Sequence, residues 1–198
     1  TLTGAATTTT STTINATTAL TTGAATNLGA TVTVNGAGNV SFGTTALESG
    51  VTTLNAAGLT GTLTVALGSA VTQRVTGGSG ADVISTGAVL TTGSVDAGAG
   101  TDVLVLTNAT HLASTSLAAK YTNFETLRIN TGITQDMANA PASITAVQTM
   151  GVATVSNMTA ARSGTSAGDR HLLAPARRRA PRPDGRCRRG VAGRRTRA

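Results

Sequence analysis

From Val32 onward the apolar residues fall in short alternating sets: Val32/Val34, Val40/Phe42, Val51/Leu54, Leu63/Val65/Leu67 and Val71/Val75. A period of two turns one side of an extended segment inward and the other outward, so each set predicts a short β-strand. The strands are punctuated at close intervals by Asn35-Gly36, Gly43, Gly50, Gly58, Gly61 and Gly68. Short strands with frequent turn signals and no helical period among them suggest a β-sandwich or a β-solenoid. Many of the turns are lone glycines, as in Leu59-Thr60-Gly61-Thr62-Leu63, and these suit the tight bends of a stacked coil better than sandwich loops. The expected fold is therefore an all-β solenoid, with Thr and Asn side chains able to stack in ladders between coils.

The flanking regions extend this picture unevenly. Residues 1–31 are low-complexity Thr, Ala, Gly and Asn with sparse apolar positions at Leu2, Ile14, Leu20 and Leu28, and they read as thin first coils of the same solenoid. After Leu106, the spacing of Leu112, Leu117, Ala118 and Tyr121 predicts one short helix ending near Tyr121, with Ser114 and Ser116 exposed. Residues 124–130 then alternate as a strand, and weaker strands follow Pro141 around 144–147 and 152–155.

Composition agrees with the β reading. The body is rich in Thr and Val, whose branched Cβ favours extended backbone, and its only aromatic residues are Phe42, Tyr121 and Phe124, so the core must be built from Val, Leu, Ile and Ala. No apolar run approaches the ~18–20 residues of a membrane span. The chain opens at Thr1 without a charged leader or an apolar signal region, which reads as an internal piece of a longer protein.

Charge divides the chain in two. The net charge of +7 averages a body, residues 1–161, in which Arg74, Lys120 and Arg128 face six acidic residues, with a tail, residues 162–198, in which twelve arginines face Asp169 and Asp184. The domain reading is thus a low-complexity start at 1–31, a solenoid at 32–161 and a disordered basic tail at 162–198. Two explanations fit the tail, a solvated disordered segment or out-of-frame translation of G/C-rich DNA. With the basic charge confined there and the body mildly acidic, no nucleic-acid partner is expected. The sole cysteine, Cys187, also lies in the tail, so the body has no disulfide and no thiolate metal site.

The candidate chemistry lies in two glycine-dense turns. Gly77-Gly78-Ser79-Gly80-Ala81-Asp82-Val83-Ile84-Ser85 fits every defined position of the calcium nonapeptide G-G-x-G-x-D-x-U-x, where U is apolar. The second turn keeps Gly98, Gly100, Asp102 and Leu104, with Ala97 in place of the first glycine. Calcium takes six to eight hard oxygen ligands in irregular geometry, so backbone carbonyls plus one carboxylate per loop can supply a site. Glycine lets the backbone turn its carbonyls inward, and the aspartate supplies charge. Two nonapeptides make one coil, which sets like turns about 18 residues apart; Asp82 and Asp102 are 20 apart. The stretch Thr86–Ser94 is then a degenerate opposite half-coil, and the two loops are expected to clasp one calcium ion between them, with Asp96 adding a ligand or local charge. Other chemistries lack material. No Lys-Ser/Thr follows the glycines as a phosphate-binding loop requires, and His111, read as an exposed loop residue, has no nucleophile elbow to serve. No catalytic residue is assigned. The sequons at Asn15, Asn39, Asn108 and Asn157 are what a Thr-rich chain produces by chance.

The two nonapeptides, the Thr/Ala/Gly body and Tyr121-Thr122-Asn123-Phe124-Glu125-Thr126-Leu127-Arg128-Ile129 together resemble the RTX-type surface-layer proteins of Gram-negative bacteria, over roughly residues 30–160. The resemblance implies a right-handed parallel β-roll, type I secretion to the bacterial cell surface, and calcium-dependent self-association into a lattice anchored to lipopolysaccharide through parts not present here. It implies carbonyl ligands from Gly77, Gly78, Ser79, Gly80, Ala97, Gly98, Ala99 and Gly100, and carboxylates from Asp82 and Asp102. The expected function is structural, a solenoid that folds on meeting extracellular calcium. Two other settings fit the same residues: the repeat region of an adhesin, or the β-roll accessory of a secreted enzyme.

Overall fold

The computed structural model describes residues 2–3, 10–23, 25–159 and 163–166. The chain winds between two parallel sheets. The first holds six strands, Ser11–Asn15, Thr31–Gly36, Thr53–Leu59, Arg74–Thr76, Ser94–Asp96 and Tyr121–Thr122. The second holds eight, Leu20–Thr21, Val40–Ala46, Leu63–Ala66, Val83–Ser85, Val103–Leu106, Thr126–Ile129, Ala146–Thr149 and Ser163–Ser166. A short separate pair, Leu2–Thr3 with Ala25–Thr26, lies at the start; from Thr31–Gly36 to Thr126–Ile129 successive strands alternate between the two sheets, so each pair of strands forms one rung, hydrogen-bonded in parallel to the next. The result is a parallel β-solenoid of about 7 turns. Toward the end the first sheet gives way to a separate parallel pair, Thr134–Asp136 with Thr154–Ser156.

The alternating apolar sets become columns. In the first sheet Val32 pairs with Leu54, Leu54 with Val75, Val75 with Val95 and Val95 with Tyr121. In the second, Val65, Ile84, Leu104, Leu127 and Val147 pair in series. All are buried, and the two columns belong to one hydrophobic core. Each rung therefore buries its side chains against those before and after it, and neighbour contacts carry the stability. Truncating Leu104 to Ala should cost about 2–5 kcal/mol in urea-induced unfolding, because the rungs on both sides are fixed and cannot close the cavity.

Polar ladders accompany the apolar ones. Asn35 Nδ2 donates to Asn15 Oδ1 at 3.2 Å, and the hydroxyls of Thr86 and Thr107 meet at 2.8 Å. One corner between the sheets is lined by glycine: a Cβ on Gly61 would run into Gly38 O, one on Gly80 into Gly61 O, and one on Gly100 into Gly80 O. This glycine column begins at Gly38 and Gly61, outside the nonapeptides, so close rung stacking by itself demands glycine at Gly80 and Gly100.

The one short helix expected after the glycine loops is present as Thr115–Ala118, whose Ser114 cap accepts from Leu117 N at 3.3 Å; a 3-10 turn, Ala109–Leu112, precedes it, and it ends short of the predicted Tyr121. Tyr121 itself joins the first sheet, because pairing with Val95 buries its ring in the core column. The 20-residue stagger of the two loops is that of the coil around them, with Ser11 paired to Thr31 and Val83 to Val103. At the other end, strand Ser163–Ser166 pairs with Ala146–Thr149. Residues 167–198, most of the predicted basic tail, lie outside the described residues.

Candidate metal centre

The two glycine loops occupy the same corner in adjacent rungs, each carrying the chain from the first sheet to the second. Val83–Ser85 and Val103–Val105 pair in register directly after them, which places Asp82 and Asp102 one above the other, as their spacing predicted. Both aspartates are fully buried, at 0% exposure. The rung before contributes residues 60–62 to the corner and the rung after contributes Asn123, Phe124 and Glu125.

Carboxylates run up this corner as a ladder. Asp82 Oδ1 accepts from Leu63 N of the preceding rung at 2.8 Å, Asp102 Oδ1 accepts from Asp82 N at 2.6 Å, and Glu125 Oε2 accepts from Asp102 N at 2.8 Å. Each acid thus satisfies a backbone donor where its neighbour's strand begins, a bond that charge strengthens. The second oxygens differ. Asp82 Oδ2 accepts from Gly78 N of its own loop at 2.8 Å, whereas Asp102 Oδ2 is buried without any partner.

The remaining predicted residues close the loops around these acids. Gly77 N donates to Asp96 O at 2.7 Å, Ser79 N to Leu59 O at 3.0 Å, and Ala99 N to Gly78 O at 3.0 Å. Asp96, half-buried at the end of its strand, accepts through Oδ1 from Gly98 N at 3.1 Å and from Asn123 Nδ2 at 2.7 Å. Left-handed backbone is needed at Gly98 (φ 92°) and Gly100 (φ 142°), and Gly77 and Ala97 are not among the positive-φ residues. The alanine at 97 is therefore no defect: it is a small, fully buried core residue whose N–H donates to Thr122 O at 3.1 Å.

The electrostatics of the corner are one-sided. Asp102 has its pKa pushed up to about 6, first by burial and further by the charges of Asp82, Glu125 and Asp96, against the lowering effect of the Asp82 N–H. Burial also raises the pKa of Asp82, against the pull of the Leu63 and Gly78 N–H groups. The three basic side chains of the body point to other acceptors: Arg74 to Thr92 O at 3.1 Å, Lys120 to Thr91 O at 2.6 Å and Arg128 to Gln148 Oε1 at 3.1 Å. Stacked buried acids with no cationic partner are costly, and they are relieved by a proton or by a cation.

The donors suit a hard cation. They are carboxylate and carbonyl oxygens, one of them the unpartnered Asp102 Oδ2. Among the described residues no three Asp, Glu, His or Cys side chains converge as a ready metal cage, so an ion at this corner would rely on backbone carbonyls beside one or two carboxylates. Two further residues here were missed in the sequence. Glu125 immediately precedes strand Thr126–Ile129 just as Asp82 and Asp102 precede theirs, which is the signal that would have found it. Asn123, at φ 58°, gives the turn its left-handed bend without glycine.

His111 is corrected as well: it is 1% exposed. Its Nδ1 lies 3.2 Å from Tyr121 Oη, with the rings edge to face. Burial lowers the histidine pKa, partly offset by a bond to the Gly87 backbone, and pushes that of Tyr121 up to about 12. The pair pins the 109–118 excursion onto the solenoid wall.

No family model matches the chain, and no curated protein or solved structure matches it. The class defined by the fold and its corner is thus a parallel β-solenoid with a buried acidic edge.

Proposed function

We propose that this chain is a structural, calcium-stabilised segment of an extracellular surface-layer type protein. One observation carries the reading: Asp82 and Asp102 are fully buried in adjacent rungs, no basic side chain among the described residues answers them, and Asp102 Oδ2 is buried without a hydrogen-bond partner among them. Without a cation the acids of the corner repel one another and oppose stacking of the central rungs. With calcium in millimolar excess outside the cell, extracellular-type affinities on the order of 0.1–1 mM would fill the site. At ten times the dissociation constant, binding would add about 1.4 kcal/mol to stability by mass action. The same reading brings with it export before calcium is met, self-association into a surface lattice, and attachment to lipopolysaccharide through regions outside this chain.

A calcium titration followed by far-UV circular dichroism and thermal melting tests it. Calcium should raise the melting temperature at millimolar concentration, and equimolar magnesium should do so far less, since magnesium demands octahedral geometry and keeps its water. Identical melts with calcium and with chelator would reject the proposal.

A further inference from the structure

The two glycine loops, which share Gly78/Gly98, Gly80/Gly100 and Asp82/Asp102, are not equivalent in structure. In loop 77–82 the aspartate closes its own turn through Gly78 N, and with Leu63 N on the other oxygen both of its carboxylate oxygens are hydrogen-bonded. In loop 97–102 the corresponding donor, Gly98 N, is turned away to Asp96 Oδ1. Asp102 Oδ2 is left as a fully buried oxygen with no partner. The backbone follows the same division, with Gly98 and Gly100 at positive φ while Gly77, Gly78 and Gly80 are not. Above loop 97–102 stands the third rung, whose Glu125 uses one oxygen on Asp102 N and whose Asn123 anchors Asp96.

We infer that the cation position of this corner is the outer step, between loop 97–102 and residues 123–125, with the carboxylates of Asp102 and Glu125 as its charged ligands, and that the step between the two glycine loops is closed by hydrogen bonds. The inference rests on the calcium reading above and moves the ion one rung along from where the two nonapeptides suggest. Loop carbonyls complete the shell, since calcium accepts neutral oxygens readily. Asp96, held by Gly98 and Asn123, adds negative field beside the ion. Glu125 lies in no nonapeptide and supplies the second carboxylate that a third glycine loop would have supplied.

Calorimetric calcium titration of the full chain separates the possibilities when Glu125→Gln and Asp82→Asn are compared with the parent. Glu125→Gln keeps an oxygen for Asp102 N and removes only the charge, and it should weaken binding at least about tenfold. Asp82→Asn, which takes a charge from the neighbouring rung and no ligand from the ion, should weaken binding clearly less than Glu125→Gln does. Should Asp82→Asn fold poorly, amide chemical-shift changes in the unmodified chain give the same answer. The largest calcium-induced shifts should fall at Gly98–Asp102 and Asn123–Thr126. Loss of binding in Asp82→Asn with Glu125→Gln unaffected, or largest shifts at Gly77–Gly80, would place the ion between the glycine loops and overturn this inference while leaving calcium binding intact. Absence of binding by the parent chain would overturn both.

Discussion

Gly80→Val should unfold the centre of the solenoid, at a cost of about 4 kcal/mol or more, a large part of the stability of an ordinary domain. A Cβ at Gly80 meets the backbone carbonyl of Gly61, and the carbonyl of Gly80 in turn lies where a Cβ of Gly100 would sit. Backbone on both sides cannot repack as a side chain would, so the rungs must separate. In a solenoid that loss spreads to the interfaces with both neighbours. Gly50 is the control: a Cβ there meets nothing within 4 Å, and Gly50→Ala should stay within about 0.5 kcal/mol of the parent. Urea denaturation of the two variants beside the parent checks the contrast. A Gly80→Val protein as stable as the parent would mean that the rungs do not stack as described.

The second large effect is a pH dependence whose sign depends on calcium. Asp102 has a folded-state pKa of about 6 against 3.8 for the free group, so between these values the folded chain retains a proton that the unfolded chain has released. The metal-free protein is therefore expected to be most stable, from this group, below pH 4, and to lose that contribution as pH rises through 6. The difference between the folded and free pKa values sets the full swing at no more than about 3 kcal/mol. Asp82, also raised, acts in the same direction. His111 acts oppositely, because its lowered pKa makes acidification below about pH 6.5 favour the unfolded chain. Asp102→Asn, which removes the acid and leaves His111 in place, should abolish most of the stabilisation between pH 6 and 4. Bound calcium keeps the carboxylates deprotonated in the folded chain, so the calcium-loaded protein should gain stability over the same rise in pH. Chemical melts at several pH values, with calcium and with chelator, read both slopes. Parallel slopes in the two conditions would contradict a metal at these acids.

Much of the fold was legible because a period of two survives in most of the strands, as in Thr31–Gly36, Leu63–Ala66 and Val103–Leu106. Val32, Leu54, Val75 and Val95 announce inward positions locally, and the rung spacing does the rest. The corner was legible as well, since glycine and aspartate recur at the rung interval. What escaped depends on contacts distant in the chain. Tyr121 has helical spacing from Leu117 and Ala118, yet its place is decided by pairing with Val95. His111 looks like a loop residue until Tyr121 covers it. Glu125 carries no glycine signature because the third turn is shorter and takes its left-handed bend from Asn123. The alanine at 97 departs from the motif at a position whose counterpart, Gly77, does not take positive φ. In the structure positive φ falls on Gly98 and Gly100, and the glycine column from Gly38 to Gly100 shows that close stacking explains part of the motif without any metal.

The most direct measurement is diffraction from crystals grown in calcium and again with a lanthanide in its place, read as anomalous density at the corner. The account predicts one peak about 2.3–2.6 Å from Asp102 Oδ2, with a Glu125 oxygen in the same shell. A well-ordered corner with no peak in either crystal, and a protonated Asp102 filling the space, would contradict it.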